Sequence, residues 1–221
     1  MTGVHLLPPP AFCIRQAMCY AGCREETAEI KNLMESAWQE AEGQLSYRVC
    51  CMEYPCSIGN DICDLSFAKV RSASLAGHLK GCEKVLVMGA TVGANMDRLI
   101  GKYSRLSPAR GVMLQAIGAE RIEALCDDFC RVAAEKLEKR GLYLTARFSP
   151  GYGDLPLQLQ KDIFRALDLE RKIGLTLNDS LLMSPSKSVT AIIGITKDKQ
   201  NPPAASCRGC KKQDCAYRRN I

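Results

Sequence analysis

Histidine is scarce in this chain, with only His5 and His78 among 221 residues. No H-x-x-x-H or H-E-x-x-H pairing occurs, so a histidine-based zinc site of that kind is not predicted. Activation of a serine or cysteine nucleophile by a neighbouring histidine is not favoured either, because histidines are so few. The sequence therefore does not favour the common hydrolase and zinc-protease classes.

Aromatic residues and long apolar runs are also few. Aromatics make up 6% of the chain, so the core is expected to be aliphatic. No run of about 18 apolar residues is present, which predicts no membrane span. Residues 1–12 contain three prolines and no lysine or arginine, a composition unlike that of a secretory signal peptide. We therefore expect a cytoplasmic protein without a membrane partner.

Charge is spread unevenly along the chain. The formal net charge is +6, and most of it falls after residue 206, where five basic residues face Asp214 alone. The remainder is close to neutral, which does not favour a broad nucleic-acid-binding surface. A nucleic-acid binder that uses only the basic tail is the weakest of the alternatives considered.

Cysteine is abundant, with 13 residues. Their odd number excludes complete internal pairing, and without a secretory signal reduced thiols are the favoured interpretation. Cys207-x2-Cys210-x4-Cys215 has the spacing of metal ligands for zinc or an iron–sulfur cluster. A fourth ligand would come from elsewhere, either from Cys13, Cys19 and Cys23 or from Cys50, Cys51, Cys56 and Cys63. The alternative is a tail of free thiols.

Hydrophobic periodicity and Gly, Pro and Ser positions predict an α+β domain rather than a doubly wound sheet, because helices and strands do not alternate regularly. Residues 1–23 are predicted to be irregular, and 148–156 to form a loop. We divide the chain into an N-terminal helical, Cys-containing region (1–66), a core (67–196) and a basic Cys-rich tail (197–221). Ser107 is predicted to cap a helix that has Pro108 in its first turn. Helices are expected over 25–44, 67–79, 91–103, 107–140 and 157–173, and strands over 47–54, 84–90, 142–146, 181–183 and 189–195.

Residues 141–195 contain three short patterns in a fixed order. They are RFSPGY (147–152), GLTLNDS (174–180) and MSPSKSV (183–189), with a predicted helix between the first and second. This segment resembles the activation domain of cobalamin-dependent methionine synthase. In that family the signature R-x-x-x-G-Y is followed by a helix and then by two segments with the same patterns as 174–180 and 183–189. The likeness extends more weakly upstream to about residue 70. It implies the family's α+β fold, a mixed or antiparallel twisted sheet flanked by helices. After residue 195 the chain departs from the family, because 196–203 replace an aromatic-rich strand.

The signature suits the binding of S-adenosylmethionine, which the resemblance implies. The guanidinium of Arg147 can hold a carboxylate with two parallel hydrogen bonds. Gly151 allows close backbone approach and positive φ, and Tyr152 offers a hydroxyl and a ring face for a positive sulfur. Ser149 belongs to the same turn, and Glu123 is the candidate partner for the ligand's ammonium. No catalytic residue is predicted.

The resemblance also implies a function in reactivation. In the family, this domain caps a cobalamin domain whose cofactor has been oxidised to cob(II)alamin, an electron donor such as flavodoxin or ferredoxin supplies one electron, and S-adenosylmethionine methylates the reduced cobalt. The D-x-H-x-x-G signature of cobalamin binding is missing here, so the cobalamin would belong to a partner methionine synthase or related corrinoid protein. The alternatives are a metal or iron–sulfur redox protein that activates a corrinoid protein, and a non-catalytic S-adenosylmethionine-binding protein.

Overall fold

The structure is a computed structural model, and it describes residues 2–23 and 25–199. Helices and strands are mixed along this part of the chain, as the sequence predicts. In chain order the elements are β1 (Gly3–Leu6), α1 (Ile14–Tyr20), α2 (Ala28–Ala41), β2 (Arg48–Pro55), β3 (Ser57–Gly59), β4 (Ile62–Asp64), β5 (Lys69–Arg71), α3 (Ala73–His78), β6 (Lys84–Thr91), α4 (Ala94–Leu106), α5 (Pro108–Glu138), β7 (Tyr143–Leu144), α6 (Leu159–Leu167), α7 (Leu169–Ile173), β8 (Thr176–Leu177), β9 (Met183–Ser184) and β10 (Ser188–Thr196).

A five-stranded antiparallel sheet forms the centre of the fold, in the order β1-β2-β6-β10-β7. Strand β6 reads KVLVMGAT and is buried at every position after Lys84. A strand that is apolar on both faces must be covered on both sides, which places it in the middle of the sheet. Val87 accordingly pairs with Met52 on one side and with Ile192 on the other.

Each face of the sheet packs against its own set of helices. The first core lies against α1, α2, α4 and α5, and α5 contributes Leu114, Ile117 and Phe129 to it. The second core lies against α3, α6 and α7 and is closed by Leu75, Ile163 and other aliphatic side chains. Burial of each such leucine or isoleucine contributes about 1.5–3 kcal/mol. The expected α+β class with a flanked antiparallel sheet is confirmed.

Several predicted elements are wrong in detail. The segment predicted to be irregular over 1–23 contains β1 and α1. The helix predicted over 67–79 is a strand, β5, followed by the short helix α3, since Ser72 interrupts the segment in an extended conformation and accepts a hydrogen bond from the Leu75 amide (3.0 Å). The strands β3, β4 and β5 form a second sheet with β4 in the middle, which the sequence analysis missed.

Two helix boundaries also differ from the prediction. Residues 157–173 form two helices, α6 and α7, because Asp168 adopts a left-handed conformation with φ of 53°. Pro108 does occupy the first turn of α5, but the side chain of Ser107 makes no capping hydrogen bond there. The helix is instead stabilised by burial of its long apolar face.

The proposed domain boundary at residue 66 stays a prediction. The strands β1 and β2 precede it, yet they belong to the same sheet as β6 and β10.

No helix in the described part of the chain is long and apolar enough to cross a membrane. Within residues 2–23 and 25–199, no three His, Cys, Asp or Glu side chains are arranged to hold a metal ion. The predicted metal ligands Cys207, Cys210 and Cys215 lie outside the described residues.

Candidate functional site

The segment that follows β7 carries the candidate binding residues along the edge of the central sheet. Its amides at Thr145 and Phe148 donate to the carbonyl oxygens of Gly194 (2.9 Å) and Ile192 (2.9 Å) on β10. Side chains alternate across an extended segment. Phe148 therefore packs into the second core, while Arg147 reaches α5 on the opposite side.

Arg147 is held in place by two carboxylates of α5. Its Nη2 donates to Glu123 Oε2 (2.8 Å) and to Asp127 Oδ1 (2.8 Å). The two acids are four residues apart and so share one face of the helix. The Arg147 side chain is 20% exposed, and its Nη1 is buried with no hydrogen-bond partner among the described residues. A buried guanidinium nitrogen without an acceptor is costly, so this atom is suited to receive an anionic ligand group.

Beyond Arg147 the chain makes a tight turn through Pro150 and Gly151. The Tyr152 amide donates to the carbonyl of Ser149 (3.1 Å), and the Gly151 amide donates to that of Leu155 (2.9 Å). Gly151 has φ of +91°, a conformation that favours glycine. Tyr152 is 59% exposed, and its ring meets Phe148 edge-on with centroids 6.2 Å apart. The turn therefore presents an aromatic ring and backbone groups to solvent.

Helix α3 contacts this segment through two residues that the sequence analysis did not single out. Asp154 accepts hydrogen bonds from the amides of Ala73 (2.7 Å) and Ser74 (3.1 Å) and from the hydroxyl of Ser72. His78 Nε2 lies 2.8 Å from the carbonyl oxygen of Ala146. Asp154 carries a sequence signal, because it lies two residues after the signature and can cap a helix. His78 carries none.

The protonation states of these two residues follow from their surroundings. Burial lowers the pKa of His78, so the neutral ring is favoured, and Nε2 must carry the proton because a carbonyl oxygen only accepts. Hydrogen bonds from Ser72 and its neighbours hold the pKa of Asp154 well below its usual range. A neutral donor and a charged acceptor thus fix the segment against α3.

Cys130 lies one turn of α5 beyond the two acidic residues. Burial raises the pKa of its thiol to about 12, and the charges of Asp127 and Glu123 act in the same direction. A thiol with this pKa stays protonated at neutral pH, and only the thiolate is a strong nucleophile or metal ligand. The thiol of Cys130 is therefore expected to pack beside the site without acting as a nucleophile or a metal ligand. Cys82 and Cys126 are buried among apolar side chains, whereas Cys130 is only partly buried.

The structure thus brings Arg147 and Glu123 into direct contact and places Ser149, Gly151 and Tyr152 on the adjoining turn. A separate cavity opens between the ends of β6 and β10, lined by Leu142, Ile195 and several lysines. None of the predicted site residues lines it, and its Lys197 already lies 3.5 Å from Glu83. The Arg147 segment remains the candidate site.

Comparison with known proteins identifies the family of the chain and its fold. The family model described as "Vitamin B12 dependent methionine synthase, activation domain" matches residues 91–219, which is more than half of the chain. A solved structure, "Crystal Structure of the MetH Reactivation Domain bound to AdoHcy", is similar in fold, with a TM-score of 0.61 and 18% sequence identity. The match covers 89% of this chain and 79% of that one. Comparison with curated proteins gave no match. The chain therefore belongs to the family of vitamin B12-dependent methionine synthase activation domains.

Proposed function

We propose that this chain binds S-adenosylmethionine along residues 147–152 and supports the reductive remethylation of cobalamin in a partner methionine synthase or related corrinoid methyltransferase. Family membership supports the role in reactivation. A similar fold bears AdoHcy, the demethylated form of that ligand. The observation that carries the proposal is the buried Nη1 of Arg147, which has no acceptor among the described residues and lies beside an acidic helix face.

Each group of the ligand has a suitable counterpart at this site. The carboxylate is assigned to Arg147, whose bond to Glu123 fixes the guanidinium and leaves Nη1 to the ligand. Glu123 is 32% exposed and carries the charge that suits the ammonium. Adenine is assigned to the backbone of Gly151 and its neighbours, with Ser149 lining the same turn. The exposed ring of Tyr152 offers a face to the positive sulfur.

The chemistry itself resides in the two cofactors. The sulfonium of S-adenosylmethionine supplies a methyl group to the reduced cobalt of the partner's cobalamin, with S-adenosylhomocysteine as the leaving group, after one electron has arrived from flavodoxin, ferredoxin or a similar donor. The protein contributes binding and orientation, which alone can lower the barrier substantially. No general base is needed because no proton is transferred.

A remethylation assay tests this function. The purified chain is mixed anaerobically with a cobalamin-loaded partner, reduced flavodoxin and S-adenosylmethionine with a labelled methyl group. We expect label in the cobalamin only when the wild-type chain is present, and at least tenfold less with Arg147→Ala, because about 1.4 kcal/mol of lost ligand stabilisation is a factor of ten. Ligand binding without any label transfer would support a non-catalytic binding protein instead.

We further propose that Cys207, Cys210 and Cys215 bind zinc or an iron–sulfur cluster. Their spacing suits thiolate ligation, and they lie within the residues that the family model matches. Basic neighbours such as Arg208 and Lys211 favour the thiolate form. Metal and acid-labile sulfide analysis of anaerobically purified protein tests this. Iron with sulfide would favour the redox alternative, zinc a structural site, and neither would contradict metal binding.

A further inference from the structure

Helix α3 touches the ligand-binding segment at both of its ends. His78 occupies the last position of the helix and meets the chain just before Arg147, through the carbonyl of Ala146 (2.8 Å). Asp154 meets the opposite end of the same helix, through the amides of Ala73 and Ser74. The residues between these two attachments are those of the signature.

The His78 attachment fixes the chain on both sides of Arg147. Its Nε2 also lies 3.0 Å from Thr145 Oγ1, and its ring packs on Phe148 with centroids 5.0 Å apart. Thr145 Oγ1 in turn accepts from the Gly194 amide of β10 (2.8 Å). The guanidinium of Arg147 therefore extends from a backbone that is held before and after it.

The Asp154 attachment fixes the turn that follows. Gly153 lies so close to α3 that a Cβ there would come within 2.5 Å of Ser74 Oγ, and its φ is +54°. Leu155 donates to the carbonyl of Tyr152 (2.9 Å) and accepts from the Gly151 amide (2.9 Å). The conformation of the turn is thus coupled to the position of Asp154 on the helix.

We propose that α3 is the positioning element of the ligand site, with His78 setting Arg147 and Asp154 setting the turn of Gly151 and Tyr152. The inference rests on the proposed function, because it assigns the carboxylate of the ligand to Arg147 and the adenosine to the turn of Gly151 and Tyr152. His78 and Asp154 do not touch the ligand. They lower the conformational freedom that binding would otherwise remove.

Binding of the whole ligand and of a fragment without the carboxylate distinguishes the effect of the His78 attachment from that of the Asp154 attachment. His78→Leu removes the donor at similar size, and we expect it to weaken S-adenosylhomocysteine binding about tenfold, the equivalent of one buried hydrogen bond. Binding of methylthioadenosine, which has no carboxylate, is expected to change less than twofold. His78→Gln keeps a donor and is expected to restore most of the affinity. Asp154→Ala is expected to weaken both ligands, and Asp154→Asn, which keeps one acceptor oxygen, is expected to weaken them less.

Matched variants control for general destabilisation. His5→Leu replaces the other histidine, which packs on Phe129 from the opposite edge of the sheet. Asp162→Ala removes an exposed acid that pairs within α6 with Arg165 (3.2 Å). Both are expected to leave the affinities unchanged. The inference is overturned if His78→Leu weakens both ligands equally or neither, or if the controls weaken them as much.

Amide hydrogen exchange of the ligand-free protein gives a readout that does not depend on binding. We expect His78→Leu to accelerate exchange at Phe148, and Asp154→Ala to accelerate it at Gly151 and Leu155. Unchanged exchange at these amides would overturn the inference even if ligands bind. Failure of the wild-type chain to bind either ligand would contradict the proposed function instead, with the exchange result still deciding whether α3 positions the segment.

Discussion

Arg147 and Glu123 are joined through one guanidinium nitrogen only. Nη2 of Arg147 lies 2.8 Å from Glu123 Oε2, while Nη1 is buried with no partner in the described part of the chain. The residues meet although they are 24 positions apart, because β7 and the segment after it run alongside α5. The contact orients the guanidinium and leaves Nη1 without an acceptor among the described residues.

Loss of the Glu123 charge is expected to weaken S-adenosylmethionine binding. Glu123→Gln removes the partner assigned to the ammonium and one of the two acids that orient Arg147, so we expect about tenfold weaker binding, in line with a charged hydrogen bond of about 1.5–3 kcal/mol. Titration calorimetry measures this. Asp127→Asn is the matched comparison, and its effect is expected to be smaller because Asp127 is 55% exposed. Equal losses would contradict the role of Glu123.

Glu40 is expected to make stability depend on pH in the acid range. Burial raises the pKa of this carboxyl, but hydrogen bonds from Tyr103, Lys102 and Arg110 outweigh it and bring the pKa to about 2, from an ordinary value of 4.5. Because the folded-state pKa is depressed, the stabilisation is complete above pH 4.5 and is lost as pH falls through about 2.

Urea unfolding at pH 7 and pH 3 checks the contribution of Glu40. Glu40→Gln is expected to cost about 1–2 kcal/mol at pH 7, since solvent screens part of the interaction, and to reduce the loss that the wild type suffers on acidification. Glu35→Gln on the same helix breaks a longer, exposed pair with Lys31 (3.9 Å) and serves as control. An acid profile of Glu40→Gln that parallels the wild type would contradict the assignment.

The buried pair Glu120–Arg121 is expected to be essential for folding. Both side chains are almost fully buried, and Arg121 also donates to the carbonyls of Pro10 (2.6 Å) and Ala11 (2.9 Å). Glu120→Gln leaves a buried guanidinium without its counter-charge, which costs about 3–5 kcal/mol. Thermal or urea unfolding measures the change. A loss below about 1 kcal/mol, similar to that of an exposed pair, would show that the N-terminal segment does not depend on this contact.

The Cys-rich tail is expected to bind metal independently of the ligand site. Replacing Cys207 and Cys210 by serine should abolish bound zinc or iron, as measured by elemental analysis, because serine is a poor ligand for these metals. Affinity for S-adenosylmethionine is expected to stay within about twofold, because none of the residues assigned to the ligand belongs to the tail. A parallel loss of ligand binding would show that the tail helps to form the pocket.

The sequence predicted the central strands and the family correctly because both depend on local patterns. The apolar run of β6 and the long apolar face of α5 are strong signals, and R-x-x-x-G-Y sits in an extended family context. The N-terminal residues were predicted to be irregular because Pro8, Pro9 and Pro10 dominate their composition. Their order arises from distant contacts, such as the stacking of Phe12 on Trp38 at 4.4 Å, which no local pattern reveals.

The contacts around the signature could be predicted only in part. Glu123 is predicted as a ligand partner from the family resemblance and the charge of the ligand's ammonium, and the structure places it against Arg147. The part played by Asp127 in holding Arg147 was not predicted, because a helix with several acidic residues gives no preference among them. His78 was missed since its partner is a backbone carbonyl 68 residues away. Every residue has such a carbonyl, so the sequence does not show which one a side chain contacts.

Titration of the purified chain with S-adenosylmethionine, with Arg147→Ala beside it, tests the central claim most directly. We predict micromolar binding by the wild type and a loss of at least tenfold in the variant, since the guanidinium has no substitute for holding the carboxylate. His5→Leu, which lies at the opposite sheet edge, is expected to bind as the wild type does. A folded wild-type chain that does not bind S-adenosylmethionine, or an Arg147→Ala variant that binds equally well, would contradict the account.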